Sequence, residues 1–104
     1  MSAFILTEKA KSDLKDISRF TEKRWGRDQR NNYLTLFDNS FRQLAANPSI
    51  GRDCSEIKPG YQKFPTGSHV IYFRSKSASL IEIVRVLHES MDVDLQFGSP
   101  EGTN

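Results

Sequence analysis

The chain has 104 residues, a net charge of +2, 37% hydrophobic residues and a single cysteine, Cys54. That is one domain with one modest core; no run approaches the ~18 consecutive apolar residues of a membrane span, and residues 1–7 lack the regions of an export signal. So small a charge excludes a protein held on nucleic acid by many phosphates, while leaving room for a local patch, and a lone cysteine fits the reducing cytoplasm.

Phe4-Ile5-Leu6 is a short apolar run that predicts a first strand. Thr7 is a good N-cap, and Glu8 favours the helix dipole in the first turn. Ala10, Leu14, Ile17 and Thr21 then recur at helical spacing, flanked by Phe20 and Trp25, with Lys9, Lys11, Asp13, Lys15, Asp16, Arg19 and Lys23 on the wet side. Trp25 is expected to pack in the core rather than stack on a nucleobase. Gly26 should stop the helix, because only glycine accepts a left-handed backbone without a Cβ penalty. Asp28 is expected to cap a second helix carrying Tyr33, Phe37, Phe41 and Leu44, its stripe widened by Leu34 and Leu36. Asn47-Pro48 ends it. The predicted helices are residues 8–25 and 28–46, a helical hairpin whose turn carries Arg24, Arg27 and Arg30 as a solvated basic cluster.

Residues 49–58 are polar and read as a surface loop, with Cys54 a thiol of no role. Strands follow at 60–65, 69–75 and 80–88, linked by Pro65-Thr66-Gly67-Ser68 and by residues 75–79, which predicts an antiparallel meander. Residues 98–104 have no apolar anchor and should fray, leaving a single domain over 1–97. The fold class is α+β: an N-terminal helical hairpin packed on a small antiparallel β-sheet, with Leu14, Ile17, Phe37, Phe41 and Leu44 facing the strands.

The last strand poses a question. Glu82 and Arg85 stand among Leu80, Ile81, Ile83, Val84, Val86 and Leu87. A buried charge costs several kcal/mol unless it is paired or reaches water, so Arg85 has a partner or one sheet face is open. Simple alternation puts Ile81, Ile83, Arg85 and Leu87 on one side and Leu80, Glu82, Val84, Val86 and His88 on the other. Neither side is polar. Two helices therefore leave apolar surface over, for a partner or for residues 93–97 in extended form to cover.

Chemical motifs are absent from the sequence: no metal-spaced Cys/His cluster, no phosphate loop, no G-x-G-x-x-G, no nucleophile elbow. No cofactor or metal is expected. His69 and His88 are the only histidines, and a histidine beside an apolar strand is more often structural than catalytic. Tyr61, Lys63, Arg74, Arg85 and His88 could be assembled into a metal-free ribonuclease set, but any basic protein with tyrosines offers such a list.

The runs DLKDI at 13–17, RWG at 24–26, LAANPSIGR at 44–52, GYQKFPTGSHVIYF at 60–73 and VRVLHESMD at 84–92, with Tyr33 and Phe37 between, resemble the ParE branch of the RelE/ParE toxin superfamily. The resemblance implies the toxin half of a bacterial toxin–antitoxin pair: a cytoplasmic protein without membrane association, neutralised by a cognate antitoxin and reaching operator DNA only through it. In the ParE branch it implies DNA gyrase as target, poisoned by binding that stabilises the cleaved DNA intermediate, with no catalytic residue in this chain. The alternative is a ribosome-dependent mRNA endoribonuclease of the RelE type. Where that branch places cations, this sequence has Gln62, Phe64, His69 and Glu89, which cannot stabilise a phosphorane. For the gyrase contact the candidates are Arg85, His88 and Met91, at the end of the last strand. For the antitoxin, an amphipathic helix and a strand are expected on Leu34, Leu36 and the sheet edge.

Overall fold

The first helix starts where a threonine hydroxyl can do two things at once. The computed structural model describes residues 3–91 and 93–97, so the predicted fraying of 98–104 lies outside the described residues. Strand β1 (Ala3–Leu6) leads into helix α1 (Glu8–Trp25). Thr7 Oγ1 accepts from the Ala10 N–H at 3.0 Å and donates to the Val84 carbonyl at 2.8 Å, capping α1 and tying it to the far end of the chain. Gly26, at φ 96°, is the whole link to helix α2 (Arg27–Ala46), and its N–H donates to the Glu22 carbonyl at 2.9 Å. Because that one residue makes the turn, α2 begins a position earlier than the sequence suggests. Asp28 is consequently not its cap; it lies within the first turn, where its charge still favours the dipole.

The polar segment after α2 is more ordered than a surface loop. It holds a short 3-10 turn at Pro48–Ile50 and strand β2 (Arg52–Asp53), whose residues pair with Lys63 and Gln62. Cys54 follows β2 and is fully buried, which corrects the loop-thiol reading. A two-residue strand is too short to produce any periodicity, so nothing in the sequence announces it. Strands β3 (Tyr61–Thr66), β4 (His69–Ser77) and β5 (Leu80–His88) form the expected meander. The sheet order is β1-β5-β4-β3-β2, so β4 and β5 are interior, as their nearly unbroken apolar runs imply. β1 joins β5 in parallel, making the sheet mixed. A short helix α3 (Val93–Phe97) closes the described chain, and none of the described helices is long and apolar enough to cross a membrane.

The main core lies between the hairpin and one sheet face: Ile17, Phe37, Phe41 and Leu44 against Ile71, Phe73, Ile81, Ile83 and Val86, with Leu14 half-buried beside them. Full burial of each such side chain contributes about 1.5–3 kcal/mol. The opposite face carries a smaller cluster of Cys54, Tyr61, Tyr72 and Leu87, covered by Val93 and Phe97 of α3. Val93 and Phe97 do cover leftover surface, from one helical turn rather than an extended tail.

Alternation along β5 is broken once. Tyr72 pairs with Arg85 but Phe73 pairs with Ile83, leaving Val84 as an extra residue in a bulge. Val86 thus joins Ile81 and Ile83 on the helix side, while Val84 and Leu87 pack on the opposite face. The predicted side assignments hold through Val84 and fail at Val86 and Leu87 for this reason. Trp25 also departs from expectation: it is 63% exposed, and Phe20 is 64% exposed. Thr21 is the last buried residue of α1, so Trp25 sits a turn beyond the core.

Candidate functional site

Both strand charges have partners. Glu82 Oε1 accepts from Arg74 Nε at 2.8 Å, directly across the β4–β5 ladder. Arg85 reaches off the sheet to α1, donating from Nε to Asp13 Oδ2 at 2.8 Å and from Nη2 to Oδ1 at 2.9 Å. Asp13 Oδ2 also accepts from the Val86 N–H at 3.0 Å, and Arg85 Nη1 donates to the Gln96 carbonyl at 3.2 Å. The two side chains are only 12% and 13% exposed. Hydrogen bonding to Asp13 raises the Arg85 pKa further above its ordinary value. The guanidinium therefore locks three elements together: β5, α1 and α3. Asp13, read in the sequence as a wet-side residue, is the other half of that lock. The available signal was its place beside Leu14 at the margin of the apolar stripe.

His88 and Met91 stand apart from that pair: His88 ends β5, and Met91 closes the turn that begins there. The Met91 N–H donates to the His88 carbonyl at 2.9 Å, and the Ser90 N–H donates to His88 Nδ1 at 3.1 Å. His88 is partly exposed and Met91 is 45% exposed. The structure thus brings His88 and Met91 into one turn and aims Arg85 elsewhere. On α2, Leu36 is 42% exposed and Leu34 partly buried.

A cleft of about 210 Å³ opens on the helix side of His88. Phe20, Thr21 and Trp25 of α1, Gln29 and Tyr33 of α2, and Ser68, His69 and His88 line it. Tyr33 Oη accepts from the Ser68 N–H at 3.1 Å and lies 2.6 Å from His69 Nδ1. Burial, and then the neighbouring His88, lower the His69 pKa to about 4, so the ring is neutral near pH 7. Gly67, at φ 61°, is needed twice over, for a Cβ there would stand 2.7 Å from the Tyr33 ring. At the rim the Arg24 guanidinium lies 5.2 Å from the Trp25 ring centroid.

A wider groove of about 460 Å³ runs over the opposite sheet face, lined by residues that include Arg52, Lys63, Tyr72, Glu89 and Val93. Burial raises the Tyr72 pKa above its ordinary value. Cys54 is pushed up to about 11, first by burial and then by Glu56, so its thiol is unreactive near neutral pH.

Residues 4–93 match the family model described as ParE toxin of type II toxin–antitoxin systems, parDE. The chain belongs to this family. It is 44% identical to Toxin ParE1 of Mycobacterium tuberculosis over 93 residues, 89% of this chain and 95% of that one. Toxin ParE1 of Caulobacter vibrioides is 34% identical over 94% of this chain and all of that protein. Toxin ParE of Escherichia coli is 31% identical over 89% of this chain and 90% of that protein. A solved structure, a chromosomal ParDE toxin–antitoxin system from P. aeruginosa, has the same fold: TM-score 0.72, covering 85% of this chain and 96% of that one at 20% identity.

Within this ParE-family chain, the Arg85–Asp92 run that carried the resemblance divides into two parts. Arg85, Val86 and Leu87 are structural; His88 and Met91 are at the surface. The cleft beside them was not legible as a site. Its walls come from four separate segments, and the sequence marks Trp25, His69 and His88 singly, with nothing to bring them together.

Proposed function

We propose that this chain is a gyrase poison: it binds DNA gyrase and stabilises the cleaved DNA intermediate, shifting a population rather than making or breaking a bond itself. It works in the cytoplasm and is neutralised by a cognate antitoxin. Family membership supports the toxin–antitoxin setting, and one observation carries the choice of binding over catalysis. The groups a metal-free ribonuclease needs lie on opposite sides of the sheet. Arg52, Lys63 and Tyr72 line the far-face groove, whereas His88 lines the cleft under the hairpin. Tyr72 is 3% exposed with a raised pKa, which is the wrong direction for a general base, and Glu89 adds negative charge where a phosphorane needs the reverse.

On this reading His88 and Met91 touch gyrase, Met91 as an adaptable apolar anchor. Arg85 acts behind them as a positioning residue. The antitoxin lays an amphipathic helix over Leu34 and Leu36 and adds a strand at a sheet edge. Operator DNA is reached through the antitoxin alone.

The test is supercoiling by purified gyrase in the presence of the purified protein. Inhibition, with linear DNA left after protein digestion, is the expected result. His88→Ala and Met91→Ala should each weaken gyrase binding by about 2 kcal/mol without loss of folding. Site-specific cuts in ribosome-bound mRNA, with gyrase untouched, would overturn the reading in favour of the ribonuclease.

A further inference from the structure

Phe20 and Trp25 are the two most exposed large apolar side chains among the described residues, and the fold gives no account of them. Both border the cleft that ends at His88. At about 210 Å³ the cleft is smaller than the ~300–1,000 Å³ typical of drug-sized sites, so it admits a single ring and not a helix. Its lining is mixed in a particular way. Flat aromatics stand at the mouth, while Thr21, Gln29, His69 and His88 supply polar groups. The Tyr33 hydroxyl occupies His69 Nδ1 and leaves Nε2 as the ring nitrogen open to a ligand. An apolar peptide side chain buried there would leave those groups without partners. A heterocycle would satisfy them.

The charge beside the cleft has the matching sign. Lys23, Arg24 and Arg27 pair with no carboxylate among the described residues, whereas Glu22 is held by Arg30. Asp28 is the one acid left at the apex, so the hairpin end is cationic. Arg24 already lies over one face of Trp25, leaving the other face for a ligand. Stacking surfaces, edge-reading polar groups and rim cations together are what an unpaired nucleotide requires.

We propose that the cleft at the hairpin apex binds an unpaired nucleotide of a single-stranded nucleic acid, with Phe20 and Trp25 stacking on the base, Gln29 and His69 meeting its edge, and Arg24 and Arg27 holding phosphate. With two or three cations involved, affinity falls with salt at a logarithmic slope of about −1.4 to −2. That short footprint is consistent with a net charge of only +2. The inference stands apart from the gyrase reading, since it can hold or fail with neither gyrase nor antitoxin present.

Trp25 is the only tryptophan, so its emission reports on the cleft directly. The full-length protein is titrated at low salt with a short labelled DNA single strand, its duplex, the matching mononucleotide and polyglutamate. The single strand should quench Trp25 and bind at least about tenfold more tightly than the duplex; Phe20→Ala should cost on the order of tenfold. The double variant Arg24→Ala, Arg27→Ala should flatten the salt slope by about 1.4. All three residues are exposed, so thermal melting of these variants should match the parent. Equal affinity for strand and duplex, or unchanged Trp25 emission, overturns the proposal. So does quenching by polyglutamate as strong as by the strand, which would make the apex an acidic-peptide surface. A mononucleotide binding as tightly as the strand would replace it with a free-nucleotide site.

Discussion

The two faces of one sheet are built by different rules. The helix face is a continuous core whose parts recur with the helical period: Ile17 on α1, and Phe37, Phe41 and Leu44 on α2, meeting Ile71, Phe73 and Ile83. The opposite face is assembled from pieces: a buried cysteine after β2, two tyrosines, Leu87, and a single helical turn that lays Phe97 at 5.2 Å from Tyr72 and 5.8 Å from Tyr61, ring to ring. The first face is fixed by local pattern and bulk. The second depends on segments far apart in sequence, joined through Arg85 to Asp13 and Gln96. A sheet can thus have a committed side and a conditional one.

That contrast can be broken by measurement. Phe41→Ala, on the committed side, should lose about 3–5 kcal/mol in urea unfolding; a loss below about 1 kcal/mol would mean the helix face is not the principal core. Arg85→Ala should lose about 3 kcal/mol, because Asp13 would be left buried without its cation. The double variant Asp13→Leu, Arg85→Met should recover most of that loss, and if it does not, the pair does more than join elements.

A third measurement concerns pH at the cleft. His69 has a folded pKa of about 4 against an unfolded value near 6.5, with His88, Glu89 and Asp13 contributing to its field. The unfolded chain therefore takes up a proton first as pH falls, and stability present above about 6.5 is lost between there and 4. The loss should be on the order of 2 kcal/mol after allowance for partial exposure. His69→Gln should flatten melting temperature against pH across that window; an unaltered profile would place the titration elsewhere. Smallest of the four, Phe97→Ala on the conditional face should lose about 1–2 kcal/mol, since the ring is only partly buried. A loss equal to that of Phe41→Ala would erase the distinction between the faces.

The same contrast explains what could be read from the sequence. Thr7, Gly26 and the apolar spacing of both helices made the hairpin legible, and unbroken apolar runs marked β4 and β5 as interior. What escaped was whatever depends on register or on distant partners. The Val84 bulge shifts every later side chain in β5, and no alternation rule can foresee an inserted residue. β2 is too short to leave a pattern. Asp13 looks like any solvated carboxylate until β5 is placed beside α1. Trp25 lies outside the core although its place in α1 predicts it inside, because helical spacing gives a side but not the point at which a helix outruns its sheet. At the candidate site, the sequence places His88 and Met91 at the end of the last strand, where the structure has them, whereas the aromatic cleft needed four segments to meet.

The parallel pairing of β1 with β5 has a consequence in time. Ala3 faces Leu80 and Thr7 bonds to Val84, partners separated by 77 positions. At a synthesis rate of about 5–20 residues per second, roughly 4–15 s pass between the making of the first strand and the making of its neighbour in the sheet. Throughout that interval the hairpin can form from local contacts while the Phe4 and Leu6 segment stays unpaired. A ribosome stalled before β5 would hold helices without a finished sheet, and the turn from His88 to Met91 would form only after that strand arrives.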